Sequence, residues 1–152
     1  MSETYRDDDS TIHHLINETF RLESTINAQV ARTLIELELT EALAGLLWRL
    51  APEAPPMSMR RLAEDLVCDP TNVTFLADRL EKRGLLERRR DSTDRRVTVL
   101  ALTPAGVELR NRLLSAAASQ SPFRRLPKAE QEQLLRLLAK VNRLYLADSQ
   151  TG

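Results

Sequence analysis

The sequence predicts a mostly α-helical chain with one small β-hairpin, an α+β arrangement, on three observations. Apolar residues recur at helical spacing through both terminal regions. Two short amphipathic helices lie about three residues apart in the middle, and the apolar period changes from about 3.6 to 2 directly after Gly84.

The first helix is expected from the N-cap Ser10, with Ile12, Leu15, Ile16, Leu22, Ile26, Val30, Leu34 and Leu37 on one stripe and no Gly or Pro to interrupt it. Thr40 caps a second helix carrying Leu43, Leu46, Leu47 and Leu50, which the proline-rich stretch 52–56 stops. Ser58 opens a third with Met59, Leu62, Ala63 and Leu66 inward. Asp69-Pro70, a cap followed by proline at the first helical position, opens a fourth that buries Val73, Leu76, Ala77 and Leu80 and ends at Gly84. Helices three and four form a helix-turn-helix.

Strands are expected over Leu85–Arg90 and Val97–Leu102, joined by the turn Asp91-Ser92-Thr93-Asp94, whose short polar side chains can bond their own backbone. This hairpin is a wing. Thr103-Pro104 starts a fifth helix carrying Leu109, Leu113, Leu114 and Ala117, and Pro122 to Pro127 breaks it. A last helix carries Leu134, Leu138, Val141, Leu144 and Tyr145, with disorder expected only in the first several and last few residues.

At 152 residues, 42% hydrophobic and 29% charged, the chain fits one globular unit. No run approaches the roughly 18–20 apolar residues of a bilayer span, and the acidic start is unlike a secretory signal, so the cytoplasm is expected and no membrane partner. The single Cys68 excludes an internal disulfide, and one Cys with two adjacent His cannot build a metal site; no metal and no cofactor is expected. Nothing at recognisable spacing offers a nucleophile with its base or a pair of catalytic carboxylates, which argues against an enzyme.

Net charge is zero but unevenly distributed. Residues 1–56 hold four basic residues against ten acidic ones, whereas residues 79–96 hold eight basic against four acidic. That segment is where an anionic partner would bind.

In a helix-turn-helix the second helix enters the major groove. With Val73 at the centre of its buried face, Thr71, Phe75, Asp78, Arg79 and Lys82 point outward, with Asn72 and Thr74 on the flanks. Arg79 suits guanine O6 and N7, Asn72 suits adenine, and Phe75 or a threonine methyl suits a thymine methyl. Asp78 would repel phosphate and is read as the i,i+4 partner of Lys82. On the wing, Arg88, Arg89, Arg90, Arg95 and Arg96 can lay cations along the DNA backbone and place one in the minor groove.

The segment 58–106, about a third of the chain, resembles the MarR-family winged helix. Its most specific pieces are LEKRGLLER (Leu80–Arg88), the wing tip Asp94-Arg95-Arg96 and LTPAG (Leu102–Gly106). The resemblance implies that Asp94 orients the wing, that Arg96 enters the minor groove, and that Thr71, Asn72 and Thr74 sit in the major groove. Phe75 departs from the basic or polar residue common in relatives, so operator sequence is not transferable. The resemblance also implies a winged helix-turn-helix over 40–103 and a helical dimerisation region made of 1–39 and 104–152. The apolar stripe from Ile12 to Leu37, more than one small winged helix can cover, supports that homodimer independently. Two-fold symmetry then places two recognition helices about one DNA turn apart on an inverted-repeat operator in double-stranded DNA.

Relatives often bind small phenolic or aromatic carboxylate effectors between the dimer helices and the DNA-binding lobe. Trp48, Arg49, His13 and His14 are the residues here whose chemistry suits such a ligand. The family's peroxide sensors carry their reactive cysteine near the start of the first helix, which this chain lacks, so Cys68 is read as a small apolar filler. The expected function is a transcriptional regulator of repressor type. The alternative is a winged helix used only for protein contact, since fold does not dictate function.

Overall fold

The computed structural model describes residues 3–149, with side chains from Asp9 to Leu144; the side chain of Tyr145 and residues 1–2 and 150–152 lie outside it. The α-helices are α1 (Glu3–Glu36), α2 (Glu41–Arg49), α3 (Met59–Leu66), α4 (Pro70–Lys82), α5 (Pro104–Gln120) and α6 (Lys128–Ser149). A 3₁₀ turn, Pro122–Arg125, joins the last two. Strands β1 (Met57–Ser58), β2 (Leu86–Arg90) and β3 (Thr98–Leu102) form one antiparallel sheet in the order β1-β3-β2.

One expectation at the start of the chain is corrected. Helix α1 begins seven residues before Ser10, which lies within the helix and accepts a hydrogen bond from His14 Nδ1 through its carbonyl (2.7 Å). The residues ahead of Ser10 contain no Gly or Pro, and an acidic run suits the positive end of the helix dipole, so nothing stops the helix earlier. Strand β1 is an addition: two residues, Met57 and Ser58, pair with Leu100 and Val99. A strand that short carries no readable alternation.

The caps explain the remaining boundaries. Thr40, Ser58, Asp69 and Thr103 each accept a hydrogen bond from a backbone N–H in the first turn of the helix that follows. Helix α4 ends as expected at Gly84, in the left-handed region with φ 69°. Leu85 N–H donates to Leu80 O and Gly84 N–H to Glu81 O, closing a Schellman motif. Helices α1 and α3 end on the same pattern without glycine. Glu38 (φ 55°) follows α1 and Val67 (φ 52°) follows α3, each closed by backbone bonds back into the last turn.

The LTPAG sequence acts as a joint. The Thr103 hydroxyl donates to Gly84 O (2.6 Å), its N–H to Leu85 O (3.1 Å), and its Oγ accepts from Gly106 N–H (3.1 Å). Gly106 lies so close to strand entry that a Cβ there would stand 1.9 Å from Leu85 O. The start of α5 is thereby pinned to the exit of α4.

The core gathers the end of α1, helices α2, α3 and α4, the sheet and the first turns of α5, with Leu46, Leu47, Leu62, Val73, Leu80 and Leu100 fully buried. Cys68 is half-buried and packs against it. The N-terminal part of α1 and all of α6 extend outside this core. Leu15, Phe20, Leu135 and Leu144 are each more than half exposed.

Candidate nucleic-acid interface

Helix α4 and the wing share one face of the molecule's winged helix-turn-helix. The Asp69 cap sets the entry of α4; the Thr71 hydroxyl and then the Thr71 N–H (2.7 Å) hold its carboxyl below the ordinary carboxylate range. Thr71 itself is exposed at the start of the helix. Asn72, Phe75, Arg79 and Lys82 are exposed along the helix, as the wheel centred on Val73 predicts. Thr74 is also exposed, but its hydroxyl donates to Pro70 O (3.1 Å), an internal bond that competes with any base contact.

Phe75 is 56% exposed and has a partner the wheel did not disclose. The Arg79 guanidinium sits 5.7 Å from its ring centroid, one helical turn along. This cation–π contact orders a long, rotatable arginine over an aromatic plane, which lowers the entropy cost of any contact that the arginine then makes.

The Asp78 expectation is corrected. Its carboxylate pairs with Arg88 of β2, not with Lys82, and Arg88 also pairs with Glu81. Arg88 therefore neutralises two α4 carboxylates that would otherwise face a phosphate backbone, and its charge is not free for DNA in this arrangement. A helical wheel sees only neighbours on its own helix, so this strand-to-helix bridge was invisible to it. Arg89 pairs likewise with Glu87.

The wing turn is built by two aspartates. Asp91 Oδ1 accepts from Thr93 N–H (2.8 Å), Asp94 N–H (2.9 Å) and the Thr93 hydroxyl. The Thr93 hydroxyl first, then the Asp94 and Thr93 N–H groups, hold the Asp91 carboxyl below the ordinary range. Asp94 Oδ1 accepts from Arg96 N–H (2.9 Å), and Val97 N–H bonds Asp94 O (2.9 Å). Both carboxylates are spent on backbone, which fixes where the next side chains point. Arg90 approaches Thr98 Oγ1 at 3.5 Å. Arg95 and Arg96 are exposed, and no guanidinium ion pair or hydrogen bond of either is found among the described residues.

A separate feature lies between α1, α2 and α5. A cleft of about 380 Å³ is lined by Ile26, Val30, Trp48, Arg49 and Leu113, and continues past Trp48 into a space of about 420 Å³ bordered by Gln29 and Phe123. Of the four residues expected at a ligand site, Trp48 and Arg49 are brought here. His13 and His14 are not: both are exposed, and thirteen residues of helix put His13 about 20 Å from Ile26 within the same chain. Arg49 reaches beyond the cleft, donating from Nε to Asp65 O (3.1 Å) in the last turn of α3. The sequence did not single out Gln29, whose Oε1 is buried without a protein partner.

Among the described residues no group of His, Cys, Asp or Glu could hold a metal ion, and no helix is long and apolar enough to cross a membrane.

The MarR family profile matches residues 39–98. A Thauera aromatica protein named "Putative transcriptional regulatory protein for hcr operon" is 36% identical over 126 residues, covering 81% of this chain and 74% of that one. Among solved structures, CouR from Rhodococcus jostii RHA1 bound to p-coumaroyl-CoA superimposes with a TM-score of 0.71 at 25% identity, over 80% of this chain and 86% of CouR. The repressor CouR bound to a 23-mer DNA duplex gives 0.65 at 27% identity, over 85% and 89%. The crystal structure of MarR gives 0.74 at 22% identity over 91% and 95%, a likeness of fold. The Thauera protein and CouR are named as a transcriptional regulatory protein and a transcriptional repressor. With six α-helices among the described residues, a three-stranded wing sheet and a regulator aligned along four-fifths of this chain, the protein belongs to the MarR family of transcriptional regulators.

Proposed function

We propose that the chain is a homodimeric repressor that binds an inverted-repeat operator, with α4 in the major groove and the wing in the minor groove, and lets go when a small aromatic or anionic ligand enters the α1–α2–α5 cleft. The observation that carries this reading is the pairing of two unoccupied surfaces. Asn72, Phe75, Arg79 and Lys82 line the outer face of α4, and beside them a rigid turn presents Arg95 and Arg96 without a described protein partner. Arginines on a preorganised turn suit a narrow, strongly negative minor groove.

In this reading residues 40–103 bind DNA, and residues 1–39 with 104–152 form the dimer. Helix α6, 22 residues long, exposes Leu135, Leu137, Leu138, Val141 and Leu144. Most of a helix's stability in a protein comes from packing of its apolar face, so this exposed stripe calls for tertiary or subunit packing. The exposed Ile12, Leu15, Ile16 and Phe20 of α1 are the complementary surface.

The cleft has the size of a small-ligand site, with apolar walls, one arginine and the orphaned Gln29 Oε1 as polar groups. The p-coumaroyl-CoA complex of CouR supports an aromatic acyl group as the kind of occupant.

Selection of bound sites from random DNA tests the whole. The expected product is an inverted repeat with half-sites about 10–10.5 bp apart or a multiple of that. Recovery of no motif, or of a single unrepeated one, refutes the dimeric reading, as does sedimentation as a monomer at micromolar concentration. Arg96→Ala is expected to lower the salt slope of binding by about 0.9.

A further inference from the structure

Arg83 is the last residue of the α4 C-terminal turn, and neither the wheel of α4 nor the family motif marks it for DNA. Its guanidinium turns back across the molecule. Nη1 donates to Glu38 O (2.7 Å) and Nη2 to Leu37 O (3.1 Å), in the loop directly after α1. Forty-five residues of chain separate donor and acceptor.

That loop is a special place. The C-terminus of a 34-residue helix concentrates unpaired carbonyls and the negative end of its dipole. Glu38, two residues past the helix, lies in the left-handed region (φ 55°), where a non-glycine residue is strained, and the chain reverses into α2 within a few residues. Arg83 supplies a cation and a two-pronged donor to Leu37 O and Glu38 O, neither of which accepts a backbone N–H. The backbone bonds from Leu39 N–H to Leu34 O (2.8 Å) and from Glu38 N–H to Ile35 O (3.1 Å) serve the carbonyls before them. Along its length α1 packs mainly on α5, so this fork is a polar tie between the end of α1 and the end of α4.

We infer that Arg83 is a positioning residue that sets the pitch of α4 relative to α1, and through it the half-site spacing the protein accepts. The inference rests on the proposed function, in which α1 carries the two-fold contact and α4 reads the half-site. Two recognition helices can engage one duplex together only if their separation and rotation match it, and each base pair of added spacing rotates a half-site by about 35°. A fork bonded to two successive carbonyls resists both tilt and rotation of the helix end, which a single point charge does not.

The test measures affinity of the full chain for a single half-site and for operators whose half-sites are stepped by one base pair either side of the preferred spacing. Wild type, Arg83→Ala and Arg83→Lys are compared. Arg83→Ala is expected to bind the single half-site as wild type does, to lose about tenfold on the preferred bipartite site, and to discriminate far less between spacings, because simultaneous engagement is what rigid geometry provides. Arg83→Lys, which retains one donor, is expected to fall between the two; if the alanine variant does not fold, the lysine variant carries the comparison by the same criterion. A spacing preference as sharp as wild type in the folded variants overturns the inference. So does an equal loss on half-site and bipartite DNA with a reduced salt slope, which makes Arg83 a phosphate contact. A wild-type protein without spacing preference overturns the proposed dimeric function itself, and this inference with it.

Discussion

Replacing Gly106 by alanine is expected to be among the most damaging single-methyl changes this chain can suffer. The added Cβ would lie 1.9 Å from Leu85 O and 2.9 Å from Leu85 C, against an ordinary carbon–oxygen approach of about 3.3 Å, so α5 and the strand entry must part by about 1.4 Å. The obstacle is backbone, which cannot rotate away. Parting them opens Thr103 N–H to Leu85 O and strains the Thr103 hydroxyl bond to Gly84 O, each worth about 1 kcal/mol. Looser packing of Leu109 and Leu113 adds a further 1–2 kcal/mol, roughly the cost of overpacking elsewhere. The sum, about 3–4 kcal/mol, corresponds to a melting temperature about 6–16 °C lower for a chain of this size. Thermal and guanidinium unfolding of Gly106→Ala measure it, with Gly45→Ala as the matched control. At Gly45, inside α2, a Cβ meets Leu66 Cδ2 at an ordinary 3.4 Å, so alanine is expected to stabilise by about 0.5–1 kcal/mol. A Gly106→Ala melting point within about 2 °C of wild type refutes the close-approach argument.

Val67→Gly relieves a β-branched residue held at φ 52° while 82% exposed. Relief of about 1–2 kcal/mol less the extra entropy of glycine leaves about 0.5–1 kcal/mol of stabilisation, read as a higher melting temperature; a lower one contradicts it. Arg88→Ala uncovers Asp78 and Glu81 on the α4 face. DNA affinity is expected to fall by about two- to fivefold with little change in salt slope, and Asp78→Asn with Glu81→Gln to restore it. A salt slope reduced by a full phosphate contact would instead make Arg88 a direct DNA ligand. Asp69 and Asp91 have folded-state pKa values below the ordinary one, so the stability they contribute is present above the unfolded value of about 3.9 and is lost as pH falls through the lower folded values. Amide exchange at Thr93 and Asp94 during acid titration is expected to rise in that window, and protection unchanged down to pH 2 would sink the assignment.

Much of this architecture is legible in the residues because the signals are local. Caps at Thr40, Ser58, Asp69 and Thr103 act within three residues of themselves, the Gly84 terminus within five, and the exposed face of α4 follows from its period around Val73. Strand β1 escaped notice since two residues hold no period, and the early start of α1 because an internal serine looks like a cap when the residues before it read as a polar tail. The partner of Asp78 is illegible in sequence for a related reason. An i,i+4 lysine is visible in sequence, whereas Arg88 approaches only after β2 folds back along α4.

The chain by itself therefore determines its helices, its wing and its family, because hydrogen bonds, caps and turn chemistry at short range decide them. Tertiary structure decides which charges remain available. Arg88 and Arg89 are taken by neighbouring carboxylates and Arg83 by the end of α1, while Arg79 is ordered by Phe75 and Arg95 and Arg96 stand at the wing tip. Long cationic side chains reach several ångströms in any direction, so their partners depend on which elements meet in space and not on spacing along the chain.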